Sequence, residues 1–402
     1  MNRTVKLIVS LIALLFLGLI YGWSIFVGPL EAEFGWERSA TSLAFTISVV
    51  ANTFLGFVGT SLRSRIPGGG RTCLLVGAAL ICCGFICASI WPSIPGFCLF
   101  YGVLCGGGIG LSYMSVLGSV PKLFPDRLGM VSGLLAMAYG LGALVLGTIC
   151  SKLLGVFGWR ATFRLIGCAF ALILVLETLV LGTDEEYADG EAPHPTMTLG
   201  AVVRDRRTWG TLIWTLLPST AGLALTGQVV PCAIALGIPA GIAVLVSGGV
   251  SFGNGLGRVV FGAIADRFDL YRSMPLATTL FIAGALLATA GFALGIPALF
   301  ALGAVMLGAS FGSCPTTATF SARRFFGLEN YALALGVFNL QVIIASVFGP
   351  MVSGALFTAT GSYVPMFIEI CILAGLSALM LAWHLRNVRA ADGTGREASP
   401  SR

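Results

Sequence analysis

Arg258 is the residue whose placement most demands a chemical reason, because it stands inside the apolar stretch 239–264. A charge there costs about 2.5–3.5 kcal/mol on insertion scales, so something must offset it. A guanidinium is planar and permanently charged, and two parallel N–H bonds let it grip both oxygens of a carboxylate. Asn254 lies one turn earlier on the same helix face and can donate or accept beside it. The structural alternative is an arginine that snorkels to the interface. Arg258 precedes Asp266 by eight residues, about 12 Å at 1.5 Å per residue, which is deep for snorkelling. Tyr21, Trp23, Tyr113, Gln228 and Gln341 complete a candidate pocket, although each can instead be an interhelical hydrogen-bonding residue. Two carboxylates also fall within apolar runs. Glu177 is near enough to a membrane face to snorkel, and Glu369 is a candidate for a coupling proton.

The elements that position these groups follow from composition. Of 402 residues 57% are hydrophobic and only 10% charged, against roughly 25% charged in soluble domains. Mean hydropathy is +0.95. Neither a soluble core nor a disordered chain fits those figures. Runs of about 20 apolar residues recur at 6–28, 39–61, 71–91, 96–120, 129–151, 160–181, 207–231, 239–264, 274–294, 297–320, 331–357 and 363–386. The first imitates a signal peptide, but it continues through Phe26 without a small-residue cleavage pattern, so it reads as a span. An all-α membrane protein with twelve transmembrane helices in two pseudo-symmetric six-helix bundles is expected. The division would be 1–181, a polar cytoplasmic linker 182–206, 207–386 and a cytoplasmic tail 387–402.

Charge sets the orientation. With a cytoplasmic N-terminus, 18 of the 23 basic residues fall on the cytoplasmic side, and Arg38, Lys152, Arg160 and Arg164 fall outside. Arg258 alone is left within a span. That bias follows the positive-inside rule, so the net charge of +6 reports topology and not nucleic-acid binding. Eleven Cys lie mainly within spans and read as small buried hydrophobes. No metal site or cofactor is expected.

A shift of 202 residues aligns the two halves. Gly106, Gly110, Lys122 and Phe124 fall on Gly308, Gly312, Arg324 and Phe326, and Asn52 falls on Asn254. Parallel six-helix repeats are the build of carriers that rock about a midplane site. Arg258 falls on Gly56, so the architecture itself does not require a cation there.

Four stretches carry a family likeness. They are Tyr21 to Leu30 with Glu33 to Trp36; Gly110 to Tyr113 running into Lys122 to Gly129; Gly253 to Arg258 with Gly262 to Arg267; and Ala345 to Pro350. Through them the chain resembles the major facilitator superfamily, and within it the oxalate/formate antiporter and monocarboxylate porter group. That resemblance implies an anion-binding role for Arg258. It also implies gating turns at Lys122, Asp126-Arg127, Asp266-Arg267 and Arg324. The segment Arg63 to Arg71 lacks the corresponding Asp, and its basic residues are expected only to set topology. Two departures bear on the cargo. Where the oxalate carriers have a Lys in span eleven, this chain reads Asn339-Leu340-Gln341-Val342. One cation balances a monoanion better than a dianion. Where proton-coupled porters place an Asp, this chain has the non-titrating Asn254.

Other classes fit less well. Gly249-Val250-Ser251-Phe252-Gly253 matches a nucleophile elbow, but it lies within a span and neither His194 nor His384 can serve it. Channels assemble symmetric filters, whereas this repeat is asymmetric at its one cation. The expectation is a non-enzymatic carrier of a small organic anion such as lactate, pyruvate or formate. It would act as a monomer in a cell inner membrane, with both termini cytoplasmic. The competing cargo is a siderophore, an organic acid conjugate or a drug, possible also as an export substrate.

Overall fold

The computed structural model describes residues 2–65, 68–124, 128–181, 196–327 and 329–397. Everything regular in it is helical. Span one combines Arg3–Leu17, a 3-10 stretch Gly18–Gly22 and Ser24–Phe34. Spans two and three are Arg38–Arg65 and Gly69–Ile90. Span four runs through Ile94–Phe97, a π-helical stretch Cys98–Cys105, and Gly106–Ser119. Spans seven to twelve are Arg206–Ala235, Ala240–Phe268, Leu270–Ala293, Pro297–Phe326, Tyr331–Thr360 and Val364–Glu397.

Spans five and six share the helical stretch Leu128–Leu181. Its apolar part covers 49 residues, about 74 Å of helix against a hydrocarbon core near 30 Å. It must therefore cross twice, and it breaks at Gly158, where φ is 72° and ψ 171°. The loop expected at 152–159 is thus helical nearly throughout. Leu153, Leu154, Val156 and Phe157 continue the helix, and a single residue with positive φ makes the turn. Counted this way, the eleven apolar helices among the described residues supply twelve spans.

The repeat seen in the sequence is a repeat of contacts. A methyl group built on Gly110 would lie 2.0 Å from the Asn52 carbonyl oxygen, and one on Gly312 would lie 2.0 Å from that of Asn254. Gly106 and Gly308 likewise face the Ser48 and Val250 carbonyls, each at 2.2 Å. Spans two and four therefore touch backbone to backbone in the same register as spans eight and ten. Gly312→Ala should cost about 1–3 kcal/mol through overpacking. Gly375→Ala, where an added methyl meets open space, should be neutral or slightly stabilising. Thermal unfolding of the detergent-solubilised protein checks both.

Aromatic rings fill much of the N-half core. Trp23, Phe85, Phe97, Tyr101 and Phe163 interlock in the N-half, with Trp23 stacked on Tyr101 at 4.4 Å. Glu177 departs from expectation. It is fully buried and does not snorkel, accepting from Ser10 Oγ at 2.5 Å. One turn before Ser10, buried Lys6 donates to the Leu181 carbonyl at 3.1 Å. Span one is thereby fixed to span six by polar groups that lie between the two helices. The eleven thiols are free, and Cys83 and Cys168 are exposed, unlike the small buried hydrophobes expected. Ser251 sits mid-helix in span eight, with no strand-to-helix turn.

Candidate functional site

Span eight carries Arg258 to where spans one, four and five converge. The Arg258 Nη1 donates to the Tyr113 hydroxyl at 3.1 Å, and Nη2 reaches the Tyr21 hydroxyl at 3.5 Å. Its guanidinium carbon lies 6.0 Å from the centre of the Tyr139 ring, within cation–π range. The rings support each other. Tyr113 and Tyr139 are 4.4 Å apart, Tyr21 and Tyr139 5.5 Å, and Phe311 of span ten closes on Tyr21 at 6.5 Å. A cation from the C-half is thus enclosed by three tyrosines of the N-half.

Local backbone explains how the cage closes. The 3-10 stretch Gly18–Gly22 turns Tyr21 toward span five. A side chain at Gly18 would strike the Tyr139 carbonyl oxygen at 1.8 Å, so only glycine permits that approach. Asn52 then donates to the Tyr139 hydroxyl at 3.3 Å. Arg258 has no carboxylate partner among the described residues, and its Nε has no acceptor. Three phenols supply rings and lone pairs but no neutralising charge, so the cage remains cationic.

Of the residues singled out in the sequence, Arg258, Tyr21 and Tyr113 come together. Asn254 is buried one turn from Arg258, and Gln341 is buried in span eleven. Trp23 goes elsewhere, into the N-half aromatic core. Gln228 also lies apart, hydrogen-bonded to Arg38 and Ser42. Glu369 sits between exposed Ile368 and Ile372 on span twelve, and its Oε2 finds no donor. Tyr139 was not anticipated. Its signal was the repeat itself, because Gln341 shifted back by 202 lands on Tyr139.

A second polar cluster lies at the face opposite the termini. Arg38 grips Glu31 with two bonds, Nε at 2.6 Å and Nη2 at 2.7 Å. Its Nη1 donates to the Gln228 side-chain oxygen at 3.0 Å and to the Tyr363 hydroxyl at 2.6 Å. Gln228 in turn donates to Ser42 Oγ at 2.9 Å, and Phe357 covers the guanidinium at 4.9 Å. Glu31, Arg38 and Ser42 belong to the N-half, while Gln228, Phe357 and Tyr363 belong to the C-half. Beyond this latch a cavity of about 460 Å³ opens, lined by Arg38, Tyr363, Phe292 and Phe357 but not by Arg258. On the same face Arg160 and Trp159 donate to the Glu33 carboxylate.

On the terminal face, Asp269 and not Asp266 pairs with Arg324. Asp269 also caps span nine from a backbone with φ of 66°. Asp266 and Arg267 are exposed, with Arg267 over the Phe268 ring at 5.2 Å. Lys122 lies in the short turn Val120–Leu123 after span four. Asp126 and Arg127 lie outside the described residues, as do the side chains of Arg63 and Arg65.

Two helical repeats that close around Arg258 where they meet have the build of a membrane carrier. Comparison with known proteins agrees. The family model described as Major Facilitator Superfamily matches residues 8–245 and 219–401. The chain belongs to the Major Facilitator Superfamily. It is 26% identical over 387 residues to the oxalate:formate antiporter of Oxalobacter formigenes, covering 90% of this chain and 86% of that one. It is 26% identical over 359 residues to human monocarboxylate transporter 11, covering 83% and 72%. Among solved structures, the nucleoside transporter NupG overlays with a TM-score of 0.72 at 13% identity, covering 96% of this chain and 99% of that one. The xylose transporter XylE from E. coli overlays at 0.69 and 16%, with coverage of 96% and 99%. These two likenesses establish the fold. Family and neighbours are transporters and not enzymes.

Proposed function

We propose that the protein is a secondary active transporter of small monocarboxylates, of the lactate, pyruvate or formate kind, working by alternating access. The observation that carries this reading is the caged Arg258, a cation without a carboxylate partner among the described residues. An anion entering the cage supplies the missing charge, and buried pairing of that kind is what makes an intramembrane arginine tolerable. The relatives named for oxalate, formate and monocarboxylates support the same class at about a quarter identity. A single cation, with Gln341 where a second is absent, favours monoanions over oxalate.

The halves are residues 1–181 and 207–386, joined by a linker at 182–206 and followed by a tail at 387–402. The protein lies in the inner (plasma) membrane as a monomer with cytoplasmic termini. The Arg38 latch then closes the outer route. The Arg324–Asp269 pair, with Lys122, Asp126, Arg127, Asp266 and Arg267, belongs to the inner gate. Counterflow into proteoliposomes with labelled lactate, pyruvate, formate and oxalate tests the reading. Saturable exchange of the monoanions, with oxalate at least about tenfold poorer, is expected. Exchange of none of them would sink it.

A further inference from the structure

Near the face that carries the termini, span twelve buries a histidine. His384 is 0% exposed, and among the described residues neither Nδ1 nor Nε2 has a hydrogen-bond partner. Its ring lies in a notch of span seven. A methyl group built on Gly210 would fall 1.9 Å from His384 Nδ1 and 2.7 Å from its Cγ, so glycine is what admits the ring. Phe325, at the end of span ten, meets the imidazole edge to face at 6.2 Å. The Arg207 guanidinium rests on the same Phe325 ring at 5.1 Å.

A neutral imidazole carries one N–H donor, and the protonated ring carries two. The packed elements offer that extra charge no counter-ion. Asp205 is taken by Arg207 and Asp269 by Arg324, while Glu329 in the turn before span eleven is exposed. The other charges are exposed cations: Arg206 on span seven, Arg272 on span nine, Arg323 on span ten and Arg386 on span twelve itself. Tyr271 of span nine stacks under Arg324 at 5.7 Å, and span eleven begins with Tyr331 and brings no charge. A proton on His384 would bury a cation with only Arg207 across a ring for company, which a closed helix crossing does not tolerate. We propose that His384 is a proton sensor of the cytoplasmic side, which on protonation parts spans seven and twelve. Phe325 leans on His384 and adjoins Arg324 in the chain, so the parting also disturbs the Arg324–Asp269 pair of the inner gate. Acid in the ordinary imidazole range thereby slows the carrier from within. The sign is fixed by linkage. The closed crossing binds no proton at His384 and the unfolded chain does, so stability is present above that range and lost as pH falls through it. None of this depends on which cargo is carried.

The chain holds two histidines, so imidazole NMR of isotope-labelled protein gives two signals, and His194→Asn assigns them. As the medium goes from about pH 7.5 to about pH 5.5, the His384 signal should hold its place and then give way to a second, slowly exchanging form. Over the same range the thermal midpoint should fall in the wild type and stay level in His384→Phe and in His384→Gln. Lactate counterflow with acid on the cytoplasmic side should drop at least about threefold in the wild type and little in either variant. A His384 signal that shifts smoothly, with no second form, overturns the sensor, and that measurement needs no change at His384. An acid loss of stability that both variants retain overturns it as well. Should lactate not be exchanged at all, the monocarboxylate reading suffers, while NMR and melting still decide the sensor.

Discussion

Replacing Arg258 by alanine should abolish carboxylate exchange while leaving the protein at least as stable. Truncating one member of a buried, hydrogen-bonded charge pair costs about 2–5 kcal/mol of binding, thirty- to several-thousand-fold. Stability should move the other way. Without cargo the charge has only phenol oxygens and a ring for company, and its removal relieves an insertion cost of about 2.5–3.5 kcal/mol. Arg258→Lys should restore little. An ammonium keeps the charge but lacks the planar fork that reaches Tyr113 and Tyr21 and still presents paired donors to an anion. Counterflow and thermal unfolding, measured on the same preparations, read the two signs. Full exchange activity in the alanine variant would remove Arg258 from the site.

The second large effect is expected at the latch. The side chains of Arg38 and Glu31 are only 9% and 19% exposed, so Arg38→Ala leaves a carboxylate largely buried and unpaired. Breaking such a pair costs about 3–5 kcal/mol, and both stability and transport should fall. Gln228→Leu separates the contributions. It removes bonds between the halves, to Arg38 and to Ser42, yet leaves the Glu31 pair intact. Stability should then change little, while the face opposite the termini opens more often. Cys232 is buried one turn past Gln228 on span seven. Its labelling by an impermeant thiol reagent should rise at least about tenfold in Gln228→Leu. Unchanged labelling would show that the bonds do not hold the halves together.

Much of this was legible before the fold was known, for reasons that can be named. Lipid as the solvent follows from the scarcity of charge, and Arg258 stands out because charge is scarce. The repeat was legible because the helix crossings need glycine, and Gly110 and Gly312 meet the same carbonyl in each half. Trp23 was misplaced because residue type alone suggested a pocket. It lies two positions from Tyr21, and residues so spaced do not share a helix face. Gln228 was drawn to the midplane although it stands only three residues from the expected end of its span. Tyr139 escaped notice because an aromatic residue within an apolar run looks like core packing. Nor does local sequence reveal that a single glycine, Gly158, separates two spans, since the flanking residues favour helix on both sides.

The lone charge in the tyrosine cage also fixes how such a carrier responds to voltage. Empty, the site holds one positive charge; filled with a monoanion, it holds none. A charge moved through the full membrane field exchanges about 2.3 kcal/mol per 100 mV, whereas a neutral pair exchanges almost nothing. If a monoanion is the whole cargo, as proposed, the loaded step is electrically silent and the return of the empty site bears the voltage dependence. Exchange of one monoanion for another bypasses that return. Its rate should therefore be flat across membrane potentials that strongly bias net uptake.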